Sequence, residues 1–152
     1  MKIDPQLKQI LGLNEVNQIG IVVKDMERAM SNYSGIFGIA FPRVVVPDFH
    51  NRIYRGKPSD FRMKIAFGMM GPLQIELIQV LQGKTIYEEF LERNGEGLHH
   101  LGFDVKNMNE RIAGFQSLGI GVLQSGEGAT AKFAYMDTES LVGVIFELIE
   151  RW

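Results

Sequence analysis

The chain alternates short apolar segments, which favour strands, with segments whose apolar residues recur at helical spacing. Residues 16–23 (VNQIGIVV) are rich in β-branched side chains and predict a buried strand. A helix is predicted from the N-cap candidate Asp25 to Gly38, because the apolar residues between them follow the helical period. Further strands are predicted at 41–46, 61–70 and 73–81, with a polar, basic loop at 47–61. The predicted order is one strand, one helix and three strands.

The same order is written again in the second half of the chain. QIGIVVKDM (18–26) corresponds to HLGFDVKNM (100–108), and LQIELI (73–78) corresponds to VIFELI (144–149). A repeat on this scale indicates one structural unit that is used twice.

Two such units predict an α+β fold in a single domain that spans residues 1–152. The domain consists of two βαβββ modules, at about 15–81 and 97–150, which a helix capped by Thr85 connects. We expect the modules to form a curved eight-stranded mixed sheet with the helices on its convex side.

Composition and charge then exclude several classes of function. A net charge of -2 and a pI near 5.9 argue against binding to nucleic acid or to an anionic membrane surface. The chain has no cysteine, so disulfides, thiolate ligands and a cysteine nucleophile are excluded. No signal peptide and no apolar run of membrane-spanning length, roughly 18 residues, is visible. We therefore expect a cytoplasmic protein.

Polar side chains interrupt the apolar strands at positions that the repeat relates. Aligning the two copies places Gln18 on His100 and Glu76 on Glu147. Because side chains alternate between the faces of a strand, these four share the face opposite the apolar residues that pack on the helices. All four residue types ligate metals, so we predict a pseudo-twofold metal site on the concave face.

Other residues near these positions are assigned simpler roles. Gly20 and Gly102 follow the two first-strand candidates by two positions and leave room on the concave face. Strand alternation directs His99 to the opposite face from His100. We therefore predict that His99 and His50 are structural or exposed.

From about Val16 to Glu150 the chain resembles the vicinal-oxygen-chelate superfamily, which includes glyoxalase I, methylmalonyl-CoA epimerase, extradiol dioxygenases and resistance proteins. The Gln/Glu/His/Glu set is similar to that of one subclass of glyoxalase I. The stretch EEFLERNGEGLHHLGFDV (88–105) is similar to methylmalonyl-CoA epimerase, in which the second histidine of the pair is the ligand. The resemblance therefore implies that His100, rather than His99, is the ligand.

The resemblance implies a divalent metal ion (Zn, Ni, Co or Mn) held by Gln18, Glu76, His100 and Glu147. Glu147 would be the catalytic base and Glu76 a ligand and second base, in proton transfer through a metal-stabilised enediolate. The leading hypothesis is a metal-dependent lyase or isomerase of the glyoxalase I type. The alternatives are a racemase like methylmalonyl-CoA epimerase and a non-catalytic, resistance-type binding protein. Candidate substrates are an α-hydroxy-carbonyl, a thiol adduct or an acyl-CoA, and the resemblance implies a homodimer.

The chain also departs from both named activities. Lys64 stands where an epimerase of this family is expected to carry a second carboxylate, and the early arginine that grips glutathione in glyoxalase I is missing. We predict that Arg52, Arg55, Lys57 and Lys64 bind an anionic substrate group. For the basic loop, an ordinary solvated role is an equal alternative.

Overall fold

The computed structural model describes residues 3–152. The strands are β1 (Gln18–Val22), β2 (Arg43–Val45), β3 (His50–Tyr54), β4 (Lys57–Pro58), β5 (Arg62–Met70), β6 (Leu73–Gln82), β7 (Gly97–Asp104), β8 (Val122–Glu127), β9 (Ala131–Met136) and β10 (Ile145–Arg151). The helices are α1 (Leu7–Leu11), α2 (Met26–Phe37), α3 (Ile86–Asn94), α4 (Met108–Gln116) and α5 (Glu139–Val142).

The strands form one mixed sheet in the order β2-β5-β6-β1-β7-β10-β9-β8-β3-β4. At its centre β1 and β7 are antiparallel, with Gly20 opposite His100. Each also runs parallel to the last strand of its own module, so that Gly20 lies opposite Glu76 and Gly102 opposite Glu147. The predicted α+β fold with a mixed sheet is confirmed, and the first and last strands of the two modules become neighbours.

The predicted count of eight strands is wrong, because the sheet formed by residues 3–152 has ten. The additional pair is the hairpin β3–β4, which lies inside the predicted loop at 47–61 and joins β8 of the other module. Arg55 and Gly56 connect its strands, with φ of 48° and 79°. Positive φ at both turn residues matches the twist of a two-residue hairpin. The hairpin was not predicted because Arg-Gly is a weaker signal for such a turn than Asn-Gly. In addition, apolar and polar residues do not alternate clearly along its strands.

Helices α2 and α4 cover the outer face, as predicted. Asp25 caps α2 by accepting a hydrogen bond from the Arg28 amide at 3.1 Å, and Gly38 ends that helix in the left-handed conformation. Asn107 precedes α4 but its side chain makes no capping hydrogen bond. The carboxylate of Glu150 instead accepts from the Asn107 amide at 3.0 Å and from the Met108 amide at 3.3 Å. In the described residues, no helix is long and apolar enough to cross a membrane.

Helix α3 lies on the inner side of the sheet, which the sequence did not predict. Its residues Ile86 and Tyr87 pack in the same cluster as Ile65 and Phe133, whose side chains also line the concave cavity. Thr85 caps the helix as predicted, accepting from the Glu88 amide at 3.1 Å. The helix therefore fills one part of the concave space and leaves the rest for a site.

Candidate metal centre

Four polar side chains converge on the concave face of the four central strands. Gln18, Glu76, His100 and Glu147 are at most 6% exposed, although none is apolar. Ligand atoms of Glu76, His100 and Glu147 all lie within 4.8 Å of one another. The strand order β6-β1-β7-β10 explains this convergence, because each residue comes from one of four adjacent strands. The structure thus brings together the four residues that the repeat relates.

The imidazole of His100 lies between the two carboxylates. Its Nε2 atom is 3.0 Å from Oε2 of Glu147 and 3.3 Å from Oε2 of Glu76. Neither oxygen lies where an Nε2–H would point, and within residues 3–152 this buried nitrogen has no hydrogen-bond partner. A buried nitrogen without a partner is costly unless a ligand completes its environment.

The amide of Gln18 adds a further oxygen to the same space. Its Nε2 donates to Oε1 of Gln74 at 2.8 Å, which leaves its own oxygen 2.9 Å from Oε2 of Glu147 and 3.2 Å from Oε2 of Glu76. Three oxygens that face one another repel unless a cation lies between them. Without a cation, turning the Gln18 amide over lets its nitrogen donate to both carboxylates. The donor set of three oxygens and one imidazole nitrogen fits a divalent transition metal.

Two glycines make room for these side chains. A Cβ atom at Gly20 would lie 1.8 Å from Cε1 of His100, and a Cβ atom at Gly102 would lie 2.9 Å from Cβ and Oε1 of Gln18. Each glycine therefore faces the ligand candidate of the other module across the β1–β7 pair. The structure agrees with the prediction that these two positions provide space.

Burial and charge shift the acid–base properties of the cluster. Burial raises the pKa of Glu76, and the charge of Glu147 raises it further against the opposing effect of His100. Burial lowers the pKa of His100, but the negative charge of Glu147, together with that of Glu76, overcomes this and raises it to about 9. The metal-free protein therefore holds a proton on His100 at neutral pH, and a metal ion would replace that proton.

His99 lies beside the cluster, contrary to the predicted alternation. The pairing of β1 with β7 shifts register after Gly20, so that the next residue of β1 pairs with Leu98 and His99 has no partner across the strand. At this bulge Nδ1 of His99 lies 2.9 Å from Nδ1 of His100, and both rings contact that of Tyr135. Burial and the neighbouring charge of His100 hold the pKa of His99 well below its ordinary value. His50 is exposed and lies 3.2 Å from Glu127, in agreement with the prediction that it is structural or exposed.

A cavity of about 200 Å³ opens from the cluster. Gln18, Glu76 and Glu147 lie in its wall together with apolar side chains and three cations. The apolar members include Phe49, Ile65, Phe67 and Phe133, and the cations are Arg43, Lys132 and Arg151. Nothing in the local sequence pattern marks these cations, because segments of both modules bring them to the cavity.

The four predicted substrate-binding cations do not line this cavity. Arg52 donates to the carbonyl of Phe61, and Arg55 pairs with Glu89. Lys57 lies in the short strand β4, where it is exposed. The predicted placement of Lys64 is corrected, since it pairs with Glu27 of α2 at 3.1 Å on the opposite face of β5. A role for these residues in substrate binding stays a prediction.

Sequence comparisons relate the chain to known proteins. A sequence model of the Glyoxalase/Bleomycin resistance protein/Dioxygenase superfamily matches residues 17–135. "Uncharacterized protein YqjC" of Bacillus subtilis (strain 168) is 26% identical over 141 residues, which cover 91% of this chain and 93% of that protein. The mitochondrial methylmalonyl-CoA epimerase of Dictyostelium discoideum is 22% identical over 145 residues, covering 93% of this chain and 81% of the epimerase.

Solved structures show the same architecture. Hypothetical protein BH1468 from Bacillus halodurans C-125 has a TM-score of 0.69 at 27% identity, with 91% of this chain and 94% of that chain covered. Methylmalonyl-CoA epimerase from Mycobacterium tuberculosis has a TM-score of 0.69 at 19% identity, with 99% and 93% covered. At this identity the epimerase likeness shows a shared fold.

Proposed function

Because the chain belongs to the Glyoxalase/Bleomycin resistance protein/Dioxygenase superfamily, we propose that it is a metal-dependent isomerase of the epimerase type. The reaction is the removal and return of a proton on the carbon next to a substrate carbonyl. The observation that carries the proposal is the buried cluster of Glu76, His100 and Glu147, with Gln18 beside it.

In this proposal Gln18, Glu76, His100 and Glu147 hold a divalent cation. The ion would polarise the substrate carbonyl and stabilise the negative charge that develops on its oxygen. The unpartnered Nε2 of His100 supports this assignment, as does the convergence of the Glu76 and Glu147 carboxylates on it.

The two glutamates provide the proton transfer. Glu147 takes the proton from the substrate carbon, and Glu76 returns a proton to that carbon. They lie on β10 and β6, which flank the central pair β1 and β7, and so approach the cluster from opposite sides. Their burial, with 4% and 6% exposure, keeps water from competing for the carbon. This use of Glu76 needs no carboxylate at Lys64.

The relatives favour the epimerase alternative over the leading glyoxalase I hypothesis. Three curated relatives are methylmalonyl-CoA epimerases, from Dictyostelium discoideum, Homo sapiens and Bos taurus. One similar structure holds methylmalonyl-CoA and NH4+. We therefore propose an acyl-CoA thioester with an acidic carbon as the substrate class.

The cavity supports such a substrate. Its volume of about 200 Å³ is below the roughly 300–1,000 Å³ of pockets that enclose a complete ligand. It therefore fits the acyl end of a thioester, while the nucleotide end lies outside. Of the three cations at the cavity, Lys132 pairs with Glu150 and Arg151 pairs with Asp104, each at 3.0 Å. Arg43 is therefore the cation that we propose for an anionic substrate group.

The test is exchange of the substrate's C2 proton in deuterated water. The protein is loaded in turn with Co, Ni, Zn or Mn and incubated with methylmalonyl-CoA, and loss of the C2–H signal is followed by proton NMR. Glu147→Gln should slow exchange by roughly 10²–10⁴-fold, because an amide can ligate but cannot accept the proton.

The matched control is Glu139→Gln, which removes a surface carboxylate that pairs with Arg93 at 3.3 Å. It should exchange at the wild-type rate. Equal exchange by wild type and Glu147→Gln would contradict the proposed base. Tight substrate binding with no exchange for any metal would instead favour the resistance-type binding protein, for which the aromatic walls of the cavity are equally suited.

A further inference from the structure

The two consecutive histidines of β7 form a direct contact that the proposed chemistry does not use. His99 and His100 are 2% and 0% exposed, and their Nδ1 atoms are 2.9 Å apart. A contact this short between two ring nitrogens is a hydrogen bond only if one nitrogen carries a proton and the other offers a lone pair.

The cluster determines which of the two nitrogens donates. Nε2 of His100 faces the carboxylates of Glu76 and Glu147 at 3.3 and 3.0 Å. For that nitrogen to ligate a metal it must offer its lone pair, and the neutral His100 ring then carries its proton on Nδ1. The proton therefore lies between the two rings, with Nδ1 of His99 as its acceptor.

This arrangement has a cost that the structure displays. If Nδ1 of His99 accepts, its Nε2 must carry a proton. In the described chain this buried nitrogen has no partner of good hydrogen-bond geometry, although the backbone of Ile86 is near enough to the ring to oppose the lowering of the His99 pKa. The ring instead lies among Tyr87, Phe90 and Tyr135, with centroid distances of 5.2, 5.2 and 5.8 Å. Aromatic faces accept N–H groups only weakly. The close polar contact of the His99 ring is therefore the one at its Nδ1, 2.9 Å from Nδ1 of His100.

A bulge in the backbone of β7 makes this contact possible. A regular β7 would direct consecutive side chains to opposite faces. The register shift between β1 and β7 leaves His99 out of the pairing and brings its ring beside that of His100. Bulges commonly redirect one side chain in this way next to functional sites.

From this geometry we infer that His99 is a positioning residue, which accepts the Nδ1–H of His100 and so directs the Nε2 lone pair of His100 toward the metal. The positioning role rests on the proposed function, which supplies the metal. The contact between the two rings is present without the metal. Partners of this kind fix both the tautomer and the orientation of a ligating imidazole.

Two substitutions of His99 distinguish its role as a hydrogen-bond acceptor from the packing of its ring. His99→Phe keeps an aromatic ring in the aromatic surroundings but removes the acceptor. His99→Asn shortens the side chain but keeps an acceptor oxygen close to the position of Nδ1. Zinc affinity is measured for both by competition with a chromogenic chelator. His99→Phe should bind zinc roughly 10–100-fold more weakly than wild type, and His99→Asn should recover most of that loss.

Nitrogen-15 NMR of the wild-type protein tests the bond directly, both metal-free and with zinc. We expect the bridging proton on Nδ1 of His100, with a scalar coupling across the hydrogen bond to Nδ1 of His99. A proton on Nδ1 of His99 would overturn the inference, as would wild-type zinc affinity in His99→Phe or an equal loss in both variants. If wild type binds no zinc, the proposed function fails, and the metal-free spectrum still decides the direction of the bond.

Discussion

Substitution of Gly20 by alanine should remove His100 from the metal site without altering any ligand. The new Cβ atom would lie 1.8 Å from Cε1 and 2.1 Å from Nε2 of the His100 ring. Carbon atoms in contact are about 3.5–4.0 Å apart, so the ring must retreat by roughly 1.5–2 Å. Zinc–nitrogen bonds of about 2.0–2.1 Å tolerate only about 0.2 Å of deviation. The displaced imidazole cannot ligate.

The loss of zinc affinity expected for Gly20→Ala follows from the loss of the His100 imidazole as a ligand. Changes to the partners of ligands cost roughly 10–100-fold in metal affinity, so loss of the imidazole itself should cost about 100-fold or more. The added methyl group should also lower the free energy of unfolding by roughly 1–3 kcal/mol, the usual cost of overpacking. Zinc affinity is measured by chelator competition, and the free energy of unfolding by urea titration.

Two other glycines provide graded controls. At Gly102 the new Cβ would lie 2.9 Å from Gln18 atoms, a milder clash, and the loss of zinc affinity should be smaller. Gly35 lies on the exposed face of α2, and a Cβ atom added there would meet no atom of the described residues within 4 Å. Gly35→Ala should stabilise the fold by about 0.5–1 kcal/mol and leave zinc affinity unchanged. Wild-type zinc affinity in Gly20→Ala would refute the geometry of the site.

Two further predictions concern the acid–base state of the cluster and the packing behind it. The pKa of His100 is raised to about 9 in the metal-free protein, so below that pH zinc must displace a proton from the imidazole. Zinc affinity should therefore rise at least tenfold per pH unit up to about pH 9 and then level off. Chelator competition at pH 6, 7 and 8 checks this, and a flat profile would contradict it. Tyr87→Phe removes the 2.7 Å hydrogen bond to the buried hydroxyl of Tyr135, and leaving that hydroxyl unpaired should cost about 1–3 kcal/mol of unfolding free energy. Urea titration measures the cost, and an unchanged value would show that the hydroxyl finds another partner.

The candidate site could be predicted because it depends on strand alternation and on a sequence repeat, and both are visible in the two modules. Strand alternation places Glu76 and Glu147 on one face, and the repeat places Gln18 and His100 on equivalent strands. Once the two modules pair through β1 and β7, these positions become neighbours by register alone. No long-range contact has to be guessed beyond the pairing of the modules.

The side chains of His99 and Lys64 lie where the sequence did not indicate, for different physical reasons. The bulge at His99 shifts the register by one residue, and alternation then assigns the wrong face. At Lys64 the alternation is regular, and it places the side chain on the same face as Ala66, which packs in the cluster under α2. Strand alternation therefore assigns a side chain to the correct face of the sheet only where the strand pairing has no bulge. A site role taken from family resemblance also requires that the side chain point to the concave face.

The hairpin β3–β4 and the cavity cations depend on contacts between modules. The hairpin is stabilised by joining β8, which comes from the other half of the chain. Arg43 and Lys132 reach the cavity from β2 and β9, strands that are far apart in sequence. The hairpin segment carries no clear periodic signal, because it is stabilised by its partner strand and not by burial of its own side chains. The position of the two cations at the cavity likewise depends on how the distant strands pair.

The central claim is that Gln18, Glu76, His100 and Glu147 hold one divalent metal ion. Anomalous diffraction from crystals grown with cobalt, collected on both sides of the cobalt absorption edge, tests it most directly. We predict one strong peak in the cluster, with the four ligand atoms roughly 2.0–2.3 Å from it. A peak elsewhere on the protein, with none between the two glutamates and His100 at saturating cobalt, would contradict the claim.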